Sequence, residues 1–346
     1  MRQAGDGMSI SLGVGLTSDC PFSCRHCYPG AGRDPVHMNP ETLFAFIDAL
    51  DVNSVNLGTG ESCLHPGFHS VLERLHRLGI PVAITTAGPS VAALSDAELA
   101  AMHDIDFSLD FPEREPHDDW RAAGAFDMVI GGIERCRSLG VTASVAMCLM
   151  EQNAASMGGM CRLCQDLGVS LRVNVYKPLH TGEYQPGYES FWNAVKTLFS
   201  LSSRAISSEP VVSAALAAAG ADPSVIRTGG SPCGKGSLRL RPGGTVLPCV
   251  YWDDSPVTME SFLAGRTAEF PSCDLPVPEE CGGCPHLDIC AGGCSGRRLY
   301  TGTHRADIYC FLQEDRRPPG LTVPEPLTGD SYIHASYLCT MIAEFD

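Results

Sequence analysis

A chain of 346 residues, 44% apolar and 18% charged with mean hydropathy near zero, has room for one large soluble domain and a small one. Its formal net charge of −16 opposes general attraction to nucleic acid or anionic lipid, and no apolar run approaches the roughly 20 residues needed to span a bilayer. The first seven residues lack the basic and apolar regions of a secretory signal, and 17 cysteines, an odd number, then point to the reducing cytoplasm and metal ligation rather than a disulfide framework.

In chain order, residues 9–17 read as a strand that leads straight into the first cysteine run. Residues 40–50 follow as a helix, with Leu43, Phe44, Phe46, Ile47 and Leu50 at helical spacing. A short strand at 54–57 ends in Gly58-Thr59-Gly60-Glu61. Helix 68–78 carries Val71, Leu72, Leu75 and Leu78 on one face and precedes strand 81–85. Helix 96–102 and strand 105–110, helix 128–139 and strand 143–150, then helix 155–167 and strand 171–176 continue the alternation. Six strands separated by helices are the pattern of a parallel sheet built from βαβ units. Lacking the last two repeats of the eightfold barrel, they predict an α/β fold, a partial (β/α)6 TIM-like barrel, with functional groups in the loops at the C-terminal strand ends. Residues 189–216 read as helical and 217–231 as a linker rich in Ala, Gly, Pro and Ser. Residues 238–240 and 245–247 form a hairpin around Arg241-Pro242-Gly243-Gly244. The cysteine-dense stretch beyond it can hardly fold without a metal core. The tail from 316 is Pro-rich at first, with a final helix expected at 332–345.

Cys20-x3-Cys24-x2-Cys27 follows the first strand directly. Three thiolates on such a loop can hold three irons of a [4Fe–4S] cluster and leave the fourth open to a small molecule. The alternatives are structural zinc or unrelated thiols. Zinc wants a fourth ligand, and His26, lying between two of the cysteines, is expected to point away. The run resembles the signature of the radical S-adenosylmethionine (SAM) enzymes, with His26 in the usually aromatic place before the last cysteine. The resemblance implies that SAM binds the open iron and is cleaved reductively to a 5′-deoxyadenosyl radical that abstracts hydrogen from a C–H bond. It also implies that Gly58, Thr59, Gly60 and Glu61 receive the SAM ammonium. Thr85 and Thr86 would line the cofactor from Thr85-Thr86-Ala87-Gly88, where the family often has Thr-Asn-Gly. Ser108-Leu109-Asp110 and His117-Asp118-Asp119-Trp120-Arg121 resemble elements of the peptide-modifying branch. They add Ser108, Asp110 and Arg121 to the site, Ser108 and Arg121 toward the SAM carboxylate. For Arg121 the alternative is a surface salt bridge.

Cys233-x10-Gly244-x4-Cys249, Cys281-x2-Cys284-x5-Cys290-x3-Cys294 and Cys310 make a seven-cysteine pattern, for which paired zinc knuckles are the alternative. It resembles the SPASM domain over about residues 232–312. That implies two auxiliary [4Fe–4S] clusters beside the SAM-binding one, three in all. Cys281, Cys284, Cys290 and Cys310 would ligate the outer cluster, and Cys233, Cys249 and Cys294 the inner one. Where some relatives carry a further cysteine, this chain has Arg227. Cys273 is the nearest spare thiol, and an open or non-cysteine fourth position is the favoured expectation. Cys161 and Cys164 share a helix face and read as core, while Cys63, Cys136, Cys148 and Cys339 read as core or surface thiols. The organisation is thus a radical SAM partial barrel at 8–205, helix and linker at 206–231, a SPASM domain at 232–315 and a tail at 316–346.

The resemblance implies an oxidoreductase that crosslinks or otherwise functionalises a C–H bond of a ribosomally made peptide. The alternatives are a small-molecule dehydrogenase or epimerase acting on a sugar or aminocyclitol, a sulfatase maturase, and a non-catalytic iron–sulfur carrier. Val250 stands where sulfatase-maturing relatives place an Asp, which weakens that reading. With fewer than 20 residues before Cys20, the expectation is that leader binding falls to a separate protein or to the barrel itself, or that the substrate is not a leader-bearing peptide. A flavodoxin- or ferredoxin-type protein would supply electrons. Tyr28, Tyr176, Lys177, His180, Tyr251 and Asp253 are candidate bases.

Overall fold

Six strands, β1 (Ile10–Val14), β2 (Val52–Leu57), β3 (Val82–Thr86), β4 (Asp104–Ser108), β5 (Ala143–Leu149) and β6 (Ser170–Val175), lie side by side in chain order, every neighbouring pair parallel. The structure is a computed structural model and describes residues 2–3, 9–28, 34–252, 255–266, 269–270, 272–313, 316, 319–327 and 339–346. The expected half-barrel is present, with bounds shifted by a few residues. Its strands alternate between two chemistries. Leu12, Val14, Val55, Leu57, Ile84, Ile105, Phe107, Val145, Met147, Leu171 and Val173 are buried in the main apolar core. The intervening positions carry Ser54, Asn56, Thr85, Asp104, Asp106, Ser144 and Arg172. Arg172 pairs with Asp104 (2.5 Å) and Asp106 (2.8 Å), and Ser144 donates to Asp106 (2.5 Å). This buried ion network joins β4, β5 and β6.

Helices pack on the apolar face. Pro40–Asp48 is capped by Asn39, whose side chain accepts from the Thr42 N–H, and buries Leu43, Phe44, Phe46 and Ile47. Phe68–Arg77 buries Phe68, Val71, Leu72 and Leu75 and ends before Leu78, which is exposed. Arg114–Trp120, unmarked by any apolar periodicity, is a further short helix beside the strand ends.

The sheet does not stop at six strands. The long helix expected at 189–216 is two helices, Tyr188–Leu201 and Pro210–Ala218, separated by β7 (Arg204–Ser207). The second begins at a proline, which also pushes Glu209 into an extended conformation. The expected hairpin forms as antiparallel β8 (Ser237–Leu240) and β9 (Val246–Leu247), and β8 continues the main sheet by pairing parallel to β1. The C-terminal part of the final helix expected at 332–345 is corrected to a strand. Residues 332–338 lie outside the described residues, and Thr340–Glu344 is a strand. With β10 (Glu325–Pro326) and β11 (Thr340–Glu344) the sheet order is β9-β8-β1-β2-β3-β4-β5-β6-β11-β7-β10. A separate two-residue ribbon joins Arg2–Gln3 to Glu269–Phe270. No helix among the described residues is long and apolar enough to cross a membrane.

Candidate active site

The cysteine loop leaves the end of β1 and is fixed by the turn after β2. Glu61 donates its backbone N–H to the Asp19 carbonyl at 2.8 Å. Gly60 has φ 63°, and a Cβ there would lie 2.4 Å from the Asp19 carbonyl oxygen and 2.6 Å from that of Thr17. Only glycine allows this approach. The Glu61 carboxylate is buried and turned to the loop after β3. Oε1 accepts from the Ala87 N–H at 2.6 Å, and Oε2 accepts from Thr86 Oγ1 at 2.7 Å and Ser90 Oγ at 2.8 Å. Burial raises its pKa, and these three bonds act against the rise. The carboxylate therefore clamps two loops together instead of standing free for an ammonium group. Thr59 Oγ1 shares a 2.5 Å hydrogen bond with Tyr28 Oη, and Thr85 Oγ1 accepts from Asn56 Nδ2 at 3.2 Å.

Asp110, fully buried, organises the other side. Its Oδ2 accepts from Arg121 Nε (2.8 Å) and Nη2 (2.7 Å), and its Oδ1 from the Cys148 N–H (3.0 Å). Burial would raise the Asp110 carboxyl, but Arg121 and His26 outweigh it and hold it below the ordinary value. Arg121 is not on the surface: its remaining arm, Nη1, lies 3.7 Å from Cys24 Sγ. One edge of its fork is already committed to Asp110, so its reach toward a SAM carboxylate is narrower than the resemblance implied. Ser108 sits half-buried at the end of β4. His26 accepts from Trp120 Nε1 at 2.6 Å and stacks on that ring.

Cys20, Cys24 and Cys27 are half-buried, free of disulfides and within electrostatic reach of one another. Burial pushes the Cys20 thiol up to about 12. Three thiolates held together here need a cation, which an iron cluster supplies, so the donor set fits a [4Fe–4S] cluster.

Among the base candidates, burial pushes both Tyr28 and Tyr176 up to about 12. Tyr176 donates to the Thr181 carbonyl at 3.0 Å, and His180 Nε2 meets the Tyr28 carbonyl at 2.9 Å. Asp253 lies outside the described residues. Lys177 is buried with its ammonium 5.0 Å from the centre of the Tyr251 ring. Arg239 on β8 lies within electrostatic reach of Tyr28, Cys233 and Cys249, and its Nη1 is buried with no hydrogen-bond partner among the described residues. An arginine in a predicted hairpin gave no hint of this position.

The C-terminal cysteines form two groups. Cys281, Cys284, Cys290 and Cys310 lie near one another, three of them half-exposed, and Cys281, Cys284 and Cys310 line an open cleft. The second group holds five buried thiols: Cys233, Cys249, Cys273, Cys294 and Cys339. Cys339, read from sequence as an ordinary core or surface thiol, belongs here because β11 delivers it. Asp307 holds the Cys294 backbone N–H at 3.0 Å and pairs with Arg297, whose Nη2 also meets Glu209 at 2.6 Å. Cys161 and Cys164 are buried on one face of helix Met157–Leu167, as expected of core thiols.

The model of the Radical SAM superfamily matches residues 14–164. The mycofactocin maturase MftC of Mycobacterium tuberculosis (strain CDC 1551 / Oshkosh) is 26% identical over 322 residues, 85% of this chain and 80% of that protein. The chain is a radical SAM enzyme. Its fold matches native anSMEcpe with bound AdoMet at TM-score 0.66 and 17% identity, covering 87% of this chain and 94% of that one. It also matches Streptococcus suis SuiB bound to precursor peptide SuiA at TM-score 0.60 and 14% identity, covering 88% and 76%. SAM and a [4Fe–4S] cluster are therefore its cofactors.

Proposed function

We propose that the enzyme modifies a C–H bond of a ribosomally made peptide and carries two auxiliary [4Fe–4S] clusters. The similarity to mycofactocin maturase carries the reading, because it spans 85% of the chain and so includes cysteine-rich sequence beyond the SAM-binding half. The SuiB fold, solved with a precursor peptide bound, supports it. The auxiliary donor sets fit: four thiols in one group, five buried thiols in the other, and none in a disulfide. Beside the buried group, Glu209 Oε2 has no hydrogen-bond partner among the described residues.

When bound, SAM and its cluster supply a 5′-deoxyadenosyl radical that takes hydrogen from carbon. The chain's own residues place and shield that event. Glu61 fixes the loops after β2 and β3, Asp110 aims Arg121 at Cys24, and the Trp120 ring covers His26. Ser108 and the backbone of the Gly58-Thr59-Gly60-Glu61 turn are the SAM contacts on this reading. Lys177, with its charge buried between Tyr251 and Cys294, holds a proton near the substrate space. The half-exposed outer thiols suit electron exchange with a flavodoxin- or ferredoxin-type donor.

The test is anaerobic reconstitution with reductant, SAM and short peptides encoded beside this gene, followed by mass spectrometry. A mass change in one peptide, with 5′-deoxyadenosine formed in step, is expected. Turnover of a sugar or aminocyclitol, with no peptide modified, would sink the reading.

A further inference from the structure

We propose that Cys339 is the fourth thiolate ligand of the inner auxiliary cluster and that Cys273 is a fifth thiol beside it that binds no iron. The proposal rests on the auxiliary-cluster reading above. The SPASM resemblance implies three inner ligands, Cys233, Cys249 and Cys294, and two spare thiols compete for the last corner.

Each of the two meets a different pair of the three ligands. The Cys339 sulfur is within side-chain hydrogen-bonding reach of both Cys233 and Cys294, whereas Cys273 reaches Cys233 and Cys249. Cys339 thus lies between two ligands that come from opposite ends of the pattern. A cluster held by Cys233 and Cys294 must span the place where Cys339 sits. An unligated thiol there would be trapped against the cluster; Cys273 also meets two of the ligands, so the way each thiol is held decides between them. The surroundings agree. Cys294 Sγ, Cys339 Sγ and a Glu209 carboxylate oxygen lie within 4.8 Å of one another, and the buried Lys177 ammonium offers a compensating charge. Arg297 holds Glu209 Oε1 at 2.6 Å, so the carboxylate is already committed to a cation on one side.

Rigidity points the same way. Cys339 directly precedes β11, whose Thr340–Ala343 pair with Leu171–Asn174 of β6 and whose Met341–Glu344 pair with Arg204–Ser207 of β7. Ser231 Oγ lies 3.3 Å from its sulfur. Cys273 sits in a stretch without helix or strand from 272 to 278. A ligand carried by a sheet strand is held in place before the metal arrives, and one on a loop is not.

The experiment uses the full chain, reconstituted anaerobically, as wild type, Cys339→Ser, Cys339→Asp and Cys273→Ser. It reads iron and sulfide per chain, the EPR spectrum and the reduction potential. Wild type and Cys273→Ser should both hold about 12 irons with superimposable spectra. Cys339→Ser should lose about 1–4 irons or show a three-iron signal. Cys339→Asp, which keeps an anionic donor, should recover the iron with a shifted potential. A Cys339→Ser protein with wild-type iron, spectrum and potential overturns the proposal, as does loss of iron in Cys273→Ser. Wild type with only about 4 irons would instead remove the auxiliary-cluster reading itself. A measurement on wild type stands whether or not the variants fold. Iodoacetamide in mild denaturant should label Cys273 while iron is still bound, and Cys339 only as iron is lost. Labelling of Cys339 in the fully loaded protein overturns the assignment.

Discussion

Replacing Glu61 with glutamine isolates the carboxylate's work as a clamp. The side chain keeps its shape, but one acceptor oxygen becomes an amide donor. With the nitrogen toward Ala87, N–H faces N–H across a 2.6 Å gap and a backbone bond is lost. Turned the other way, the nitrogen meets the hydroxyls of Thr86 and Ser90, and Thr86 Oγ1 already accepts the Gly88 N–H at 2.9 Å. At least one hydrogen bond to a charged group disappears in either case, a loss of about 1.5–3 kcal/mol. The E61Q protein should melt roughly 2–4 °C lower. Because the clamp joins the loops after β2 and β3, SAM should bind about tenfold more weakly, equivalent to roughly 1.4 kcal/mol. Thermal melting and calorimetric titration of the reconstituted protein with SAM measure both. A melting point within about 1 °C of wild type, with SAM affinity intact, would refute the clamp. Lost SAM binding at unchanged stability would return Glu61 to direct contact with the ammonium.

Arg297→Met should cost about 3–5 kcal/mol, read as a lower urea midpoint, because Glu209 and Asp307 would stay buried without their cation. An unchanged midpoint would show that the pair is not held as charges. Asp110→Asn should cost about 3 kcal/mol and change the EPR spectrum of the SAM-binding cluster, since Arg121 Nη1 would no longer be held 3.7 Å from Cys24. A spectrum identical to wild type would show that Arg121 is positioned by something else. His117 gives a pH prediction. Burial and the nearby Arg121 lower its pKa to about 4, and its Nδ1 accepts the Asp110 N–H at 3.3 Å. Its stabilisation is complete above the unfolded value near 6.5 and is lost as pH falls toward 4, about 3 kcal/mol in all. Wild type should therefore lose stability between pH 6.5 and 4 more steeply than His117→Asn, and parallel pH curves would contradict the assignment.

β1 to β6 were legible because their pattern is local: each strand carries its own alternation, and each helix its own apolar stripe. The loops at their ends were legible because the cysteine spacing marks where the first one begins. What sequence missed is non-local. Arg204-Ala205-Ile206-Ser207 is too short to break a helical pattern by itself, and it becomes a strand because β11 and β10 flank it. Thr340-Met341-Ile342-Ala343-Glu344 reads equally well as helix or strand, and its partners lie far back in the chain. Cys339 stayed hidden for the same reason. Its spacing from the other cysteines is set by the path of the sheet, which no cysteine pattern encodes. Arg121 was expected in the site from its motif, and its pairing with Asp110 decides what it can still hold.

The place of β11 between β6 and β7 also bears on how the enzyme is made. The outer edge of β6 is complete once Val175 has been synthesised, yet the strand that covers it arrives about 165 residues later. At about 5–20 residues per second the edge stays bare for roughly 8–33 s on the ribosome. During that interval the nascent half-barrel offers an open edge to any passing strand, its own or another chain's. Assembly of this enzyme is therefore expected to depend on how fast translation runs and on whether a chaperone guards that edge until the last strand slots in.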